Sequence, residues 1–304
     1  MPEPVPHARR IAIVRNPRSG TAVETAALEQ ALDHSGITAD ILDIPDGPQL
    51  DDWLDRIAPN YDVIAAAGGD GTVSSVAAGV ARAGKTLAVI PTGTLNHFAH
   101  DAGIPTELGQ AVALIRTGEP RGVDAGFVND RFFLNNVSLG SYPRMVYERT
   151  RLERSGRSRR LASAIAVSKT WWRLRSILAY ITVDGRDLIR RSPFIVVGNG
   201  SYVLSGFALG QREDISSHQL SLYVAPRTGR FGALSIPFRA LFGRLERYEQ
   251  FESTSATEIT MSLRHPRVPA GIDGEVRELE SPLRFVVRPG ALQVMLPPLG
   301  LAPS

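Results

Sequence analysis

Cysteine is absent from this 304-residue chain, which excludes disulfides, thiolate nucleophiles and cysteine-based metal sites. No apolar run approaches the ~20 residues that a transmembrane helix needs. The first residues carry neither the basic nor the apolar region of a secretion signal, so we expect a cytoplasmic protein. Repeats and low-complexity tracts are also missing, and the 43% hydrophobic and 21% charged contents are typical of folded domains.

Positive charge is concentrated in one segment. Residues 144–175 contain ten Lys/Arg and two Asp/Glu, whereas the rest of the chain carries 24 basic and 29 acidic residues. Because its arginines stand beside Trp171 and Trp172 at helical spacing, we predict that the stretch from Arg149 to Arg175 contacts an anionic membrane surface. The alternative is a helix packed on protein with solvated arginines. Nucleic-acid binding is not expected, because the aromatics do not form a stacking platform.

Short apolar strands alternate with helices up to about residue 125. Strands are predicted at 11–15, 39–44, 63–67 and 86–90, and helices at 22–34, 51–57, 73–82 and 108–117. Near-continuous apolar strands separated by helices indicate a parallel sheet that is covered on both faces. We therefore predict an N-terminal parallel α/β domain at 1–125, with ligands bound at the carboxyl ends of its strands.

The remaining chain, 126–304, consists mainly of predicted strands and turns. Hairpin signals are Asp184-Gly185 between 178–183 and 188–197, Asp273-Gly274 between 267–272 and 275–279, and Pro289-Gly290 between 283–287 and 292–296. This pattern predicts a C-terminal antiparallel β domain, either a sandwich or barrel-like, with a basic helical insertion at about 144–175. The extreme C-terminus is expected to pack back on the first domain, and the active site to lie in the cleft between the domains.

Three short loops rich in glycine, hydroxyl and amide groups follow three of the predicted strands. They are Asn16-Pro17-Arg18-Ser19-Gly20, Gly68-Gly69-Asp70-Gly71-Thr72 and Pro91-Thr92-Gly93-Thr94-Leu95-Asn96. Glycines at a strand–helix junction let backbone N–H groups approach an anion, and the helix N-terminus adds partial positive charge. Thr72 is the expected N-cap. Each loop alone is a common turn, but the three at one sheet edge indicate a polyphosphate site. There the carboxylate of Asp70 suggests a metal ion, a hydroxyl or a positioning role.

The combination of motifs resembles the diacylglycerol kinase catalytic-domain family, which includes bacterial lipid kinases and the sphingosine and ceramide kinases. The matching segments follow the family order: Asn16-Pro17-x-Ser19-Gly20, Gly68-Gly69-Asp70-Gly71-Thr72, Pro91-x-Gly93-Thr94-x-Asn96, Asp124-x-Gly126, Asn136-x-Ser138-x-Gly140 and Asp273-Gly274-Glu275. The resemblance implies an ATP- and Mg²⁺-dependent kinase that phosphorylates a lipid hydroxyl, such as that of diacylglycerol. It implies that 1–125 is the nucleotide-binding domain and that 126–304 is a β-sandwich domain for the lipid substrate. It also implies peripheral association with the inner face of the membrane.

The resemblance assigns roles to individual residues. Asp70 and Asp124 correspond to carboxylates that organise Mg²⁺ through water, and Asp273 or Glu275 would accept the proton of the acceptor hydroxyl. The nucleotide would be held by Asn16, Pro17, Ser19, Gly20, Gly68, Gly69, Asp70, Gly71, Thr72, Gly93, Thr94 and Asn96. From the residues alone, Asp273-Gly274 is better explained as a type I′ hairpin turn, and the choice between the two carboxylates stays open.

Two positions depart from the family pattern. His97 stands where many members have an aspartate, and an imidazole cannot replace a carboxylate near Mg²⁺ without changing the water network. The segment Asp214-Ile215-Ser216-Ser217-His218 replaces an Asp-Asp-Gly turn that holds a structural metal in some members, which makes that extra site doubtful. Two alternatives therefore stay open: an NAD kinase-like enzyme, which shares the Gly-Gly-Asp-Gly loop, and a catalytically degenerate nucleotide- or lipid-binding regulator. The oligomeric state is not determined, a homodimer being one option.

Overall fold

The computed structural model describes residues 9–17, 23–45, 49–141, 143, 176–205, 208–212, 214–225 and 252–298. The chain divides into two compact units, Met1–Val123 with Pro289–Ser304, and Asp124–Arg288. The predicted basic helical insertion lies outside the described residues, and so do Ser19 and Gly20 of the first loop. Among the described helices, none is both long and apolar enough to cross a membrane.

The first unit is built on a parallel sheet. Its strands are β1 (Ile11–Arg15), β2 (Asp40–Asp43), β3 (Val63–Gly68) and β4 (Thr86–Pro91), and its helices are α1 (Thr25–Ser35), α2 (Leu50–Ile57), α3 (Asp70–Arg82), α4 (His97–Asp101) and α5 (Leu108–Thr117). The strands pair in parallel in the order β2-β1-β3-β4. The carboxyl ends of β1, β3 and β4 therefore meet at one edge of the sheet, where the three loops begin.

Small residues in the central strand let the helices pack closely on this sheet. All six residues of β3 are buried, so both of its faces are covered. On one face, Leu28 and Leu32 of α1 and Val112 and Ile115 of α5 join a core cluster with alternate residues of β3. Each such buried side chain contributes about 1.5–3 kcal/mol relative to exposure, so this packing fixes the sheet edge that carries the loops.

The second unit is a sandwich of antiparallel sheets. Its strands begin with β5 (Glu119–Val128), which enters from the first unit, and continue with β6 (Arg131–Phe133), β7 (Asn136–Gly140), β8 (Ile177–Val183), β9 (Arg186–Ser192), β10 (Phe194–Asn199), β11 (Tyr202–Ser205), β12 (Ala208–Arg212), β13 (Leu220–Val224), β14 (Glu252–Ala256), β15 (Glu258–Leu263), β16 (Arg267–Ile272), β17 (Glu275–Glu280) and β18 (Leu283–Leu296). One sheet has the order β18-β15-β8-β9 within this unit, and the other has the order β14-β13-β10-β7-β16-β17. Buried side chains from both sheets form one core cluster. The predicted fold class, a parallel α/β domain followed by an antiparallel sandwich, is confirmed.

Two predicted hairpins differ from the structure. The residues around Pro289-Gly290 do not turn back, because β18 is one continuous strand of 14 residues. Its first part pairs antiparallel with β15, and its last part pairs parallel with β4, so it runs from the second unit into the first. The predicted strand 188–197 is two strands, β9 and β10, which belong to different sheets. The break falls at Pro193, which has no N–H group to donate to a sheet.

Candidate active site

The first loop is described only in part. Asn16 and Pro17 follow β1, and Asn16 is half-buried at the carboxyl end of the strand. Just before them, Arg15 forms an ion pair with Asp43 of β2 and donates to the carbonyl oxygen of Val23 at 3.1 Å. These bonds tie the end of β1 to its neighbours, which gives the loop a fixed starting point.

The second loop is a tight junction between β3 and α3. The helix begins at Asp70 and its N-cap is Gly69 in an extended conformation, so the predicted start at residue 73 and the predicted N-cap Thr72 are both wrong. Thr72 instead packs its side chain over Gly68, where an added methyl group would place its carbon 2.5 Å from the Thr72 Cβ. Asp70 therefore stands at the first helical position, beside the N–H groups that a helix leaves without internal partners.

The third loop lies directly against the second. The N–H of Thr92 donates to the carbonyl oxygen of Gly68 at 3.1 Å, and a Cβ on Gly93 would stand 2.6 Å from the Cα of Gly69. A side chain at position 93 would therefore clash with the second loop, so the two backbones can approach this closely only because residue 93 is glycine. The two loops therefore present their backbones as one continuous surface within the first unit.

Asn96 closes the third loop on itself. Its Oδ1 accepts a hydrogen bond from the N–H of Gly93, and its Nδ2 donates to the carbonyl oxygen of Gly93, both at 2.9 Å. Asn96 has a left-handed backbone with φ 49°, which asparagine tolerates better than most residues. In the structure, the Asn96 side chain therefore fixes the shape of the third loop. Thr94 and His97 are exposed on either side of it.

A magnesium ion would find few carboxylates in the loops at the sheet edge of the first unit. Asp70, which is partly exposed, is the acidic residue that these loops contribute in the described part of the chain. No group of three His, Asp or Glu side chains suitable for a metal occurs among the described residues. Mg²⁺ in nucleotide enzymes takes one or two carboxylates, and phosphate oxygens and waters complete its shell. The residues therefore fit an ion brought by a nucleotide, and Asp70 is the carboxylate ligand that the described part of the loops offers.

Asp124, the second predicted metal ligand, is held by His218 in the second unit. The carboxylate is 2% exposed and accepts the N–H of His218 at 2.6 Å. Its oxygens also lie 3.0 and 3.1 Å from Nδ1 of the His218 ring. His218 has φ 57°, which aims its backbone N–H at the carboxylate. The carboxylate therefore helps to hold the 214–218 turn, and its predicted role in organising Mg²⁺ through water stays a prediction.

Asp273 is both a turn residue and a positioned carboxylate. It precedes Gly274 in the hairpin of β16 and β17, and the φ values of 46° and 87° fit the predicted type I′ turn. Its Oδ2 accepts the N–H of Leu134 at 2.7 Å, and its Oδ1 accepts those of Asn135 and Asn136 at 2.8 and 2.9 Å. Three backbone donors stabilise the ionised carboxylate and fix its orientation.

Glu275, the other candidate for the base, has a different environment. Its side chain is 53% exposed and forms an ion pair with Arg277 at 2.9 Å. An exposed carboxylate that is shared with an arginine is neither oriented nor protected from water. Asp273 is therefore the better-organised acceptor of a proton.

The remaining motif residues support β7, the strand that lies between β10 and β16. Ser138 Oγ donates to the carbonyl oxygen of Gly271 at 3.3 Å, and Gly271 leaves no room for a Cβ beside that hydroxyl. A Cβ on Gly126 would collide with the ring of Phe133, and one on Gly140 with the carbonyl of Pro193. These motif positions therefore serve close packing.

Four buried side chains of this region were not predicted from the sequence: Asn135, Asn199, Tyr202 and Arg212. Asn135 itself binds Asp273 through its N–H, and the other three donate to the carbonyls of Leu134 and Asn135. Asn199 sits in an Asn-Gly pair and Arg212 in a short polar stretch, and each pattern is typical of ordinary loops. Only the fold brings them together.

Two sequence models of protein families match the chain. Residues 10–128 match the diacylglycerol kinase catalytic domain, and residues 147–296 match the YegS C-terminal NAD kinase beta sandwich-like domain. A diacylglycerol kinase of Staphylococcus saprophyticus subsp. saprophyticus is 32% identical over 146 residues, which are 46% of this chain and 48% of that protein. A diacylglycerol kinase of Staphylococcus aureus (strain JH9) is 41% identical over 91 residues, 29% of either chain. The chain thus spans about half or less of the length of these curated relatives.

A solved structure has the same fold. The crystal structure of a diacylglycerol kinase from Bacillus anthracis str. Sterne superimposes with a TM-score of 0.68 at 20% identity, covering 96% of this chain and 98% of that one. The two family models lie in order along the chain and together take in most of it, and the loops of the first unit fall within the first of them. The chain therefore belongs to the diacylglycerol kinase catalytic-domain family.

Proposed function

We propose that the protein is an ATP- and Mg²⁺-dependent lipid kinase that transfers the γ-phosphoryl group to the hydroxyl of a lipid alcohol, such as diacylglycerol. The observation that carries the proposal is the carboxylate of Asp273, which three backbone N–H groups hold in one orientation. Transfer to an alcohol requires such a group, because the hydroxyl must lose its proton as it attacks.

The proposed reaction uses the described residues as follows. Asp273 accepts the proton of the acceptor hydroxyl while the hydroxyl oxygen forms a bond to the γ-phosphorus. The bond from that phosphorus to the bridging oxygen breaks, and ADP leaves. The glycine backbones of the second and third loops and the N-terminus of α3 suit the negative charge of the phosphates. Asp70 would hold Mg²⁺, which neutralises phosphate charge when bound.

A phosphate-transfer assay over a panel of lipid alcohols tests this proposal. With radiolabelled ATP and Mg²⁺, we expect a phosphorylated lipid that mass spectrometry identifies, and no product after chelation of the metal. Asp70→Asn should lower the rate by about 100-fold or more, because one neutral amide replaces the charge that binds the metal. Asp52→Asn is the matched control, since Asp52 is exposed on α2 away from the loops.

Other outcomes separate the alternatives. Formation of NADP from NAD in the same mixture would favour an NAD kinase-like enzyme, in keeping with the name of the second matching domain. Tight ATP binding without transfer to any lipid alcohol would favour a degenerate regulator. Equal rates for Asp70→Asn and wild type would contradict the role of Asp70.

We also propose that the protein reaches its substrate by contact with an anionic membrane surface. The basic sequence ends at Arg175, just before β8. On the hairpin of β8 and β9, Leu178, Tyr180 and Ile189 are 41%, 54% and 61% exposed, and Tyr180 lies opposite Ile189. Apolar and aromatic side chains next to arginines suit the boundary between headgroups and acyl chains.

Co-sedimentation with vesicles tests this contact. We expect binding to vesicles that contain phosphatidylglycerol and little binding to phosphatidylcholine alone, because the attraction is electrostatic. Replacing Arg157, Arg159 and Arg160 by alanine should weaken binding by about 100-fold, at about 1 kcal/mol per charge. Arg131→Ala, at an exposed position on β6, is the control. Binding that ignores both the lipid charge and the three arginines would refute the contact.

A further inference from the structure

The loop Leu134–Asn136, here called the amide loop, connects Asp273 to a group of buried side chains. These are Asn199, Tyr202 and Arg212, here called the second layer. Its three N–H groups donate to the Asp273 carboxylate. Its carbonyl groups, which belong to the same short stretch of backbone, accept hydrogen bonds from other side chains. Because the C=O and N–H groups of a peptide bond lie in one plane, the side chains that bond to these carbonyls also fix the direction of the N–H groups.

The carbonyl oxygens of the amide loop are fully engaged. That of Leu134 accepts from Nδ2 of Asn199 and from Nη2 of Arg212, both at 3.0 Å. That of Asn135 accepts from the hydroxyl of Tyr202 at 2.9 Å and from the backbone N–H of Asn199 at 2.8 Å. Arg212 also donates to Oδ1 of Asn135 at 3.1 Å. Each of the two carbonyls thus has two donors.

These bonds act on the same peptide groups that bind Oδ1 of Asp273. The peptide group with the Leu134 carbonyl carries the N–H of Asn135, and the one with the Asn135 carbonyl carries the N–H of Asn136. Donors on the oxygen of a peptide group polarise its N–H and strengthen the bond that this N–H makes. The guanidinium of Arg212 does so with a full positive charge.

The side chains of the second layer are shielded from solvent. Asn199, Arg212 and Tyr202 are 1%, 5% and 8% exposed. The guanidinium of Arg212 lies 5.3 Å from the centre of the Tyr202 ring, which adds a cation–π contact. Burying a charged guanidinium costs free energy unless its N–H groups are hydrogen-bonded. The bonds from Arg212 to the amide loop therefore offset part of the cost of its burial. In a site of low dielectric, the polarisation of the peptide groups is screened little.

We propose that Arg212, Tyr202 and Asn199 are positioning residues that align and polarise the amide loop and thereby hold Asp273 in its reactive orientation. The proposal rests on the proposed function, in which Asp273 is the base. The three side chains act through the amide loop. Loosening this loop would let the carboxylate turn away from the acceptor hydroxyl and would stabilise its ionised form less.

Two tyrosines provide a matched test. Tyr202→Phe removes only the hydroxyl that bonds to Asn135. Tyr223→Phe removes a hydroxyl of similar burial, 4% exposed, that bonds to the backbone N–H and carbonyl of Tyr202 at 2.9 and 3.2 Å. Both variants lose one buried hydroxyl in the same sandwich. Only the first loses a bond to the amide loop.

Steady-state kinetics with ATP and a lipid alcohol should separate the variants. We expect kcat of Tyr202→Phe to fall about tenfold with KM for lipid changed less than about twofold, because orientation at the reacting atom is lost. The acid limb of its pH–rate profile should move to higher pH. Tyr223→Phe should keep kcat within about twofold and the same acid limb. Equal effects of the two substitutions on kcat and pH profile would overturn the proposal.

Amide hydrogen exchange gives a readout that needs no activity. In Tyr202→Phe the amides of Leu134–Asn136 should exchange about tenfold faster than in wild type, and in Tyr223→Phe they should not. If wild type phosphorylates no lipid alcohol, the kinase proposal fails, but exchange still tests the second layer. Unchanged exchange of these amides in Tyr202→Phe would overturn it. Arg212→Lys keeps the positive charge but loses the planar guanidinium with its several donors. If this variant folds, the exchange rate of its Leu134–Asn136 amides should lie between those of wild type and Tyr202→Phe.

Discussion

Asp273 combines two tasks at the scale of one residue. It adopts the left-handed backbone that a type I′ turn requires, and it presents a carboxylate to three N–H groups of the amide loop. Aspartate suits both, because it tolerates positive φ and its short side chain reaches the neighbouring backbone. The Asp-Gly pattern that predicts a hairpin turn and the motif position proposed for the base can therefore both be satisfied by the same aspartate.

Gly93 gives a steric prediction at the same scale. A methyl group there would meet the Cα of Gly69 at 2.6 Å and Oδ1 of Asn96 at 2.7 Å, and backbone cannot yield easily. Gly93→Ala should therefore lower the stability of the first unit by about 1–3 kcal/mol and weaken ATP binding. Thermal unfolding and calorimetric titration with ATP would measure both effects.

Gly71→Ala is the comparison for stability. A Cβ at Gly71 meets nothing within 4 Å, so the melting temperature should stay the same or rise slightly. Equal melting temperatures for Gly93→Ala and Gly71→Ala would show that the close contact between the second and third loops does not contribute to the stability of the first unit.

Single residues were also where sequence reasoning was least reliable. Thr72 was predicted as an N-cap because threonine often caps helices, yet it packs over Gly68 while Gly69 caps. The carboxylate of Asp124 accepts from His218, which is 94 residues away in the chain, and its role in organising Mg²⁺ through water stays a prediction. Such partners depend on the folded chain, and no local pattern indicates them.

At the scale of elements, local signals predicted most strands and helices well. The bounds of β1, α5 and β16 agree with the predicted ones, because each has a clear period and clear flanking turns. The error at β18 has a physical cause. Pro289-Gly290 is a common turn signal, but here the strand passes straight through it and pairs with different partners before and after it.

The start of α5 offers a pH-dependent prediction. Glu107 is the N-cap, and the N–H groups of Gly109 and then Gln110 lower the pKa of its carboxyl from 4.5. A lowered pKa means that the ionised form stabilises the fold above the unfolded pKa, and that this contribution is lost as pH falls through the folded value. Glu107→Gln should lower the melting temperature by about 2 °C at pH 7, and the difference should vanish towards pH 3.

Glu29→Gln provides the control for this measurement, because Glu29 is exposed in the middle of α1. Its melting temperature should follow that of wild type over the whole pH range. A loss in Glu107→Gln that is the same at pH 7 and pH 3 would show that the charge of the cap does not contribute.

At the scale of the whole molecule, the first unit is formed by two separate stretches of the chain, whereas the second unit is formed by one continuous stretch. The chain leaves the first unit after Val123 and returns to it at Pro289, so the first unit is made from both ends of the chain. Alternating strands and helices followed by strands and turns were enough to predict the fold class. The basic segment at 144–175 lies outside the described residues, so its contact with membranes stays a prediction.

The central claim is that Asp273 accepts the proton when phosphate passes to a lipid alcohol. The most direct measurement is the single-turnover rate of phosphate transfer from ATP to the best lipid acceptor, for wild type, Asp273→Asn and Glu278→Gln. Asn keeps the size and some hydrogen bonds but cannot accept the proton, so the rate should fall by about 100- to 10,000-fold. Glu278, which is exposed on the same hairpin, should be replaceable without effect. Transfer by a folded Asp273→Asn protein at the rate of the Glu278→Gln protein would contradict the account.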